Sequence, residues 1–369
     1  MYFEYGGMQR AMLRIALECA RRGHEVNIYT GKWLGKRPAA VQVRELDTRS
    51  LSNVRSNDKL ARALATRVRS GNYDCVVGFT KIPGLDVYYA GDPCYAARIA
   101  ESRSRFYRWL PRYRGFLRQE AGVFARGIDT EILLFALAER EKFITYYATE
   151  PRRFHLLPPG INRERLLVHE PDSIAAVRRE LRLAADDLVI VTIASRFKTK
   201  GVDRSIKALA ALPEDIRRRS KLVVIGEDNF KPYTRLAGRI GVADRVVFIG
   251  AREDIGRIYR AADLLLHPAY SENTGTVLIE AMICGLPVLT TGNCGFAFHV
   301  ENARAGLICP VPFEQNTLNR LIGNALTSSE RAHWKVNGPV YCESHDLYSL
   351  IERAADVIEA RAQHNRSPR

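Results

Sequence analysis

The chain has 369 residues, enough for two ordinary domains of roughly 150 residues each with a core of its own. Hydrophobic residues at 46% and charged residues at 26% exclude a disordered chain, and the longest apolar runs fall far short of the ~20 residues of a membrane span. The net charge of +15 points to an anionic partner: a phosphorylated substrate, an acidic membrane or nucleic acid, the last unsupported by any recognised motif.

In chain order, a helix is predicted over Met8–Arg22, closed by Gly23, and a strand over His24–Thr30. Asp58–Ser70 reads as a helix, Asp74–Thr80 as a strand, and Asp86–Ala90 and Ile132–Ala136 as short strands. Pro158-Pro159-Gly160 reads as a linker. A second series follows: strands at Leu188–Ala194, Lys221–Gly226, Val246–Gly250, Leu264–His267 and Pro287–Thr291, with helices at Asp203–Ala211, Pro232–Gly241, Ile255–Ala262 and Gly275–Gly285. A helix over Tyr348–Gln363 comes last. Strand–helix alternation of this kind predicts α/β domains with parallel, doubly wound sheets. The expected division is 1–158 and 159–344, with the last helix, within 345–363, crossing back to the first domain. No strand is predicted ahead of Gly6-Gly7, although in a Rossmann half a glycine loop normally follows the first, central strand: an absent strand, a misassigned start or a different fold would each account for this.

Seven cysteines without CxxC spacing read as reduced packing thiols, and no His/Cys/Asp cluster has metal-ligand spacing, so no metal is expected. No secretory signal is visible, and a cytoplasmic enzyme is the expectation. The densest chemical signal is Glu272-Asn273-Thr274-Gly275-Thr276, which follows a strand and opens a helix bearing Glu280. Gly275 permits close backbone approach, and the free N–H groups of a first helical turn make an anion site. Glu280 can accept from vicinal hydroxyls, as on a ribose; Glu272 can face another polyol. The same segment also reads as a capped helix with two surface carboxylates. The second signal, Ser195 to Gly201 with Arg196 and Lys200, puts cations at the sheet edge where open α/β sheets bind ligands. Lys200 and Arg165 are candidates to stabilise a diphosphate leaving group without Mg²⁺.

Together these residues resemble the retaining GT-B glycosyltransferases of family 4, whose strongest mark is the E-x7-E pair, here Glu272 and Glu280. The stretches 78–88 (GFTKIPGLDVY) and 267–281 (HPAYSENTGTVLIEA) narrow the likeness to lipopolysaccharide core glucosyltransferases of Gram-negative bacteria. The resemblance implies two Rossmann-like domains facing a cleft, and glucosyl transfer from UDP-glucose to a heptose of the lipopolysaccharide inner core, with retention and neither metal nor cofactor. It implies that Gly7 lies against the donor, Lys200 and Arg165 on its diphosphate with Arg196 beside them, and Arg252 near the uracil. Glu280 would bind the ribose; Glu272 with Asn273, Thr274, Gly275 and Thr276 would hold the glucosyl group and phosphate. Asp92 would stand near the donor sugar and the acceptor. The chain departs from the family at Ala11, where an Asp is usual. Two other classes share this frame: a sugar-nucleotide epimerase and a non-catalytic, membrane-associated binding protein.

Residues 98–118 hold seven arginines interleaved with aromatic residues. Arg103, Arg105, Phe106, Tyr107, Arg108, Trp109, Arg112, Tyr113 and Arg114 are expected to meet an anionic membrane surface, giving a peripheral enzyme on the cytoplasmic face of the inner membrane with a lipid-anchored glycan acceptor. The same segment also reads as a basic helix packed on its aromatic face.

Overall fold

A computed structural model describes Tyr2 and residues 7–71, 73–102, 110–166, 174–181 and 183–366. The chain divides into two compact units: Met1–Gly160 with Ser349–Arg369, and Ile161–Tyr348.

The first unit carries strands β1 (Asn27–Thr30), β2 (Gln42–Glu45), β3 (Val77–Gly78), β4 (Val87–Tyr89), β5 (Glu131–Leu134) and β6 (Phe154–Leu156). Every pairing is parallel. Among the described residues they form two separate sheets, β1-β2 and β3-β4-β5-β6. Ahead of the first helix, Tyr2 makes a single parallel bridge to Trp33. Its N–H donates to the Lys32 carbonyl at 2.9 Å, and the two rings stack with centroids 3.8 Å apart. The strand predicted over Asp74–Thr80 shortens to β3, because only β4 is hydrogen-bonded to it. The first helix, Gly7–Arg21, buries Ile15 and Cys19 and packs against the last helix, Leu350–Arg366. Arg22 fastens the pair, donating to Asp356 and Glu359 at 2.8 Å each.

The second unit is one six-stranded parallel sheet in the order β12-β11-β10-β7-β8-β9. Its strands are β7 (Leu188–Ile193), β8 (Ser220–Ile225), β9 (Val246–Phe248), β10 (Leu264–His267), β11 (Val288–Thr291) and β12 (Gly306–Cys309). The central strands read as near-continuous apolar runs because helices cover both faces; Ile190, Leu222, Val224, Leu264, Leu266 and Leu289 are buried in one core. The chain runs outward from β7 through β8 to β9, then restarts at β10 beside β7 and runs the other way. That reversal makes a topological switch point between β7 and β10, and the carboxyl ends of the strands at such a point are where open α/β sheets bind ligands.

Candidate functional site

The β7 loop enters the short helix Phe197–Lys200, whose first N–H donates to the Asp228 carboxylate at 2.7 Å. Gly201 ends that helix with φ +75°, and a Cβ there would lie 2.1 Å from the Pro268 carbonyl oxygen. The β7 and β10 loops are thus in backbone contact, reinforced by the Tyr270 N–H donating to the Thr199 carbonyl at 2.8 Å. Arg204, buried, has its guanidinium 3.5 Å from the centroids of both Tyr270 and Phe313 and donates to the Pro268 and Ala269 carbonyls at 3.2 and 3.0 Å.

From this platform Lys200 donates to Oε2 of Glu272. Burial opposes ionisation of Glu272, but His267 and the Lys200 charge outweigh it and hold the carboxyl down at about 2. The Glu272–Thr274 stretch is pinned from the other side: Gly295 N–H donates to the Glu272 carbonyl at 3.0 Å and Phe296 N–H to that of Thr274 at 2.8 Å. Gly275, at φ +96°, is the turn into the helix Thr276–Ile283, with the Cys294 sulfur filling the space beside its Cα. That helix start has no side-chain cap and lies close to Glu272, and the first-turn N–H groups of such a start favour a negative group. Further along, Glu280 accepts from the buried Tyr259 hydroxyl at 3.0 Å. Burial and the Glu280 charge push that phenol well above its ordinary value, while Arg165, on the exposed turn Arg163–Leu166, acts in the opposite sense. Arg196 is exposed at the start of the Lys200 helix. The Arg252 guanidinium is taken up by Asp254 and Glu180, at 2.7 Å each.

In the first unit, Gly7 opens the first helix, and among the described residues a Cβ there would meet nothing within 4 Å. Asp92 is exposed in the turn before the helix Tyr95–Ser102, and the Met8 methyl fills the space beside Gly91, so this turn and the Gly7 helix start are neighbours. Sequence reasoning missed what holds the turn. The fully buried Glu120 accepts from the N–H groups of Tyr95 and Ala96 at 2.9 and 3.0 Å, from the Tyr147 hydroxyl at 2.6 Å and from Lys81. The Glu139 carboxylate takes the Cys94 N–H at 2.7 Å. A buried Glu on a distant helix carries no spacing signal toward the loop it caps.

Of the basic segment, Arg103, Arg105, Phe106, Tyr107, Arg108 and Trp109 lie outside the described residues. Arg112 and Arg114 are exposed. Tyr113 corrects the expectation of a membrane-facing ring: it is only 5% exposed, with its ring centroid 5.5 Å from that of Tyr95. The helix Pro111–Phe124 places it two turns before Glu120, on the face turned inward. Among the described residues no helix is long and apolar enough to cross a membrane, and no group of three or more His, Cys, Asp or Glu is placed to hold a metal ion.

Behind the pinning loop, in the helix Ala297–Ala303, His299 shares a hydrogen bond with the Tyr341 hydroxyl at 2.8 Å, and burial lowers its pKa from 6.5 to about 4. The unfolded chain therefore takes up this proton first. His299 contributes stability that is fully present above pH 6.5 and lost as pH falls through 4. Denaturant titration at about pH 7.5 and pH 4.5 should show a loss of about 2–3 kcal/mol from this residue, absent in His299→Gln.

The family model for glycosyl transferases group 1 matches residues 173–339. The lipopolysaccharide glucosyltransferase WaaG of Escherichia coli (strain K12) is 40% identical over 359 residues, covering 97% of this chain and 96% of that protein. A D-inositol 3-phosphate glycosyltransferase of Mycobacterium sp. (strain KMS) is 28% identical over 346 residues, 82% and 74% of the two chains. The crystal structure of WaaG superposes with a TM-score of 0.87 at 40% identity, covering 97% of each chain. Anabaena HepE in complex with UDP-glucose, at 18% identity, matches with a TM-score of 0.70 over 98% and 97%, a likeness of fold. With two parallel α/β units, a switch point between β7 and β10 and a relative of this identity along nearly its whole length, the chain belongs to the group 1 glycosyl transferases and is a glycosyltransferase of the GT-B fold.

Proposed function

We propose that this enzyme transfers glucose from UDP-glucose to a heptose of the lipopolysaccharide inner core, with retention at the anomeric carbon and without a metal. The observation that carries the reading is the meeting of Lys200 and Glu272 at the switch point, beside the open N-terminus of the helix Thr276–Ile283. The relative of 40% identity, a lipopolysaccharide glucosyltransferase, supports the acceptor class.

In this reading the UDP diphosphate lies on the first-turn N–H groups of Thr276–Ile283, with Lys200, Arg165 and Arg196 supplying cationic charge. As the bond from the anomeric carbon to the phosphate oxygen breaks, its electron pair stays on UDP, and these groups stabilise the growing charge where a metal would otherwise act. The acceptor hydroxyl adds on the same face, and its proton passes to the departing phosphate oxygen. Glu280 accepts from the ribose hydroxyls, held in place by Tyr259. Glu272, Asn273, Thr274, Gly275 and Thr276 hold the glucosyl group. Arg252 borders the base, with its guanidinium already committed to two carboxylates. Gly7, without a side chain, is suited to close approach by a donor, and Asp92, exposed in its turn, to the acceptor. Arg112 and Arg114, both exposed, help to hold the enzyme on the anionic cytoplasmic face of the inner membrane, next to its lipid-anchored acceptor.

The test is turnover of UDP-glucose on a purified inner-core acceptor in the presence of EDTA, with the product anomer read by NMR. Retained configuration and undiminished rate support the reading. Inversion, a metal requirement or epimerisation without transfer would each reject it. Glu280→Ala should weaken UDP binding by about 1.5–3 kcal/mol, seen by calorimetry as a roughly 10- to 100-fold rise in Kd.

A further inference from the structure

His267 ends β10 at the switch point, and it is 1% exposed. Among the described residues neither of its ring nitrogens has a hydrogen-bond partner. A buried imidazole left in that state is costly, and such groups are uncommon in folded proteins. Its Nε2 lies 3.5 Å from Oε2 of Glu272, the same oxygen that accepts from Lys200. One carboxylate oxygen therefore faces two nitrogen donors: an ammonium already bonded to it, and an imidazole a few tenths of an ångström beyond a normal N–H···O distance of about 2.9 Å.

The arrangement has a consequence once a diphosphate enters, on the reading of Lys200 and Glu272 given above. The diphosphate carries more negative charge than Glu272 and draws the Lys200 ammonium toward itself. Glu272, with its side chain only 12% exposed, is then left as a poorly solvated charge. An uncompensated charge in such a place is strongly unfavourable. A shift of well under 1 Å brings its Oε2 onto the Nε2–H of His267. We propose that His267 is a positioning residue for donor chemistry: it takes over the Glu272 carboxylate when Lys200 turns to the diphosphate, and so fixes the carboxylate against the sugar. His267 already stands beside the Glu272 carboxylate, and the exchange draws that contact tight as Lys200 turns away.

The experiment compares the wild-type enzyme with His267→Leu, His267→Gln and Lys200→Ala, using UDP alone, UDP-glucose binding and UDP-glucose turnover. Gln carries an amide N–H at the reach of Nε2, whereas Leu fills the volume without a donor. His267→Leu should keep UDP affinity within about twofold yet lower kcat about 10- to 100-fold, the effect of one hydrogen bond to a charged group. His267→Gln should recover most of that loss. The proposal is overturned if His267→Leu turns over at the wild-type rate. It is equally overturned if UDP affinity, kcat and thermal midpoint fall together in both His267 variants, which is the pattern of a packing role. Should Lys200→Ala leave UDP affinity unchanged, the diphosphate role of Lys200 fails and the exchange fails with it, an outcome separable from either His267 result.

Discussion

Gly201→Ala is expected to destabilise the protein by about 2–5 kcal/mol and to abolish most of its transferase activity. Two costs add. The backbone at Gly201 is left-handed, at φ +75°, which costs an L-residue about 1–2 kcal/mol. The new methyl would also lie 2.1 Å from the Pro268 carbonyl oxygen, a rigid backbone atom, and overpacking of that kind costs about 1–3 kcal/mol. Gly241 supplies the control, because it has the same φ of +75° and nothing within 4 Å of its would-be Cβ. Gly241→Ala should lose only the conformational part. Urea denaturation of both variants separates the two contributions. Equal stabilities would remove the contact with Pro268 from the account. Activity should follow Gly201 alone, since separating the β7 loop from the β10 loop separates Lys200 from Glu272.

Lys200→Ala should lower kcat/KM for the donor by about 10²–10³, the usual effect of deleting one preorganised group that meets transition-state charge. The same substitution leaves Glu272 without its ammonium partner, so stability falls as well. The two effects part in Lys200→Ala/Glu272→Gln, which removes the orphaned charge: stability should return while activity does not. The pH dependence carries its own sign. Glu272 has a folded-state value of about 2, below its ordinary 4.5, so it stabilises the fold above pH 4.5 and loses that contribution as pH falls through 2. Without Lys200 the folded-state value rises toward 4.5, and the contribution shrinks across the whole range above it. Acid-denaturation curves of the two proteins, followed by circular dichroism, should therefore converge at low pH and diverge above it.

Much of the second unit was legible in the sequence because its strands are buried on both faces. Runs such as Leu188–Ile193 and Leu264–His267 are apolar without interruption, bounded by loops and helical periodicity. Strand β12 escaped notice: Gly306–Cys309 is four residues long and directly follows a helix. Strand β2, Gln42–Glu45, is mostly polar and exposed, so no apolar pattern marks it. Tyr113 misled because arginines surround it in sequence, whereas the helix turns it to the side of Glu120. In the candidate site, loop position and residue type point to Lys200, Glu272, Gly275 and Glu280, and the fold brings Lys200 onto Glu272. His267 could not, because its significance lies in a carboxylate five residues on that folds back over the end of its strand. The Glu120 and Glu139 contacts to the Asp92 turn join segments more than twenty residues apart, and pairings of that range leave no local trace.

The fastening of the helix Gly7–Arg21 to the helix Leu350–Arg366 also governs the order in which the chain can assemble during synthesis. The sheet that carries Lys200 and Glu272 is drawn from one uninterrupted stretch, Ile161–Tyr348, and can close as soon as that stretch has left the ribosome. The other unit begins emerging earlier yet finishes later. Its first helix keeps the side that will meet Asp356 and Glu359 uncovered through most of translation. The later-translated helix thus acts as a latch on one made before the second unit, and a ribosome that stalls before residue 350 releases a chain with a finished second unit and an unlatched first helix.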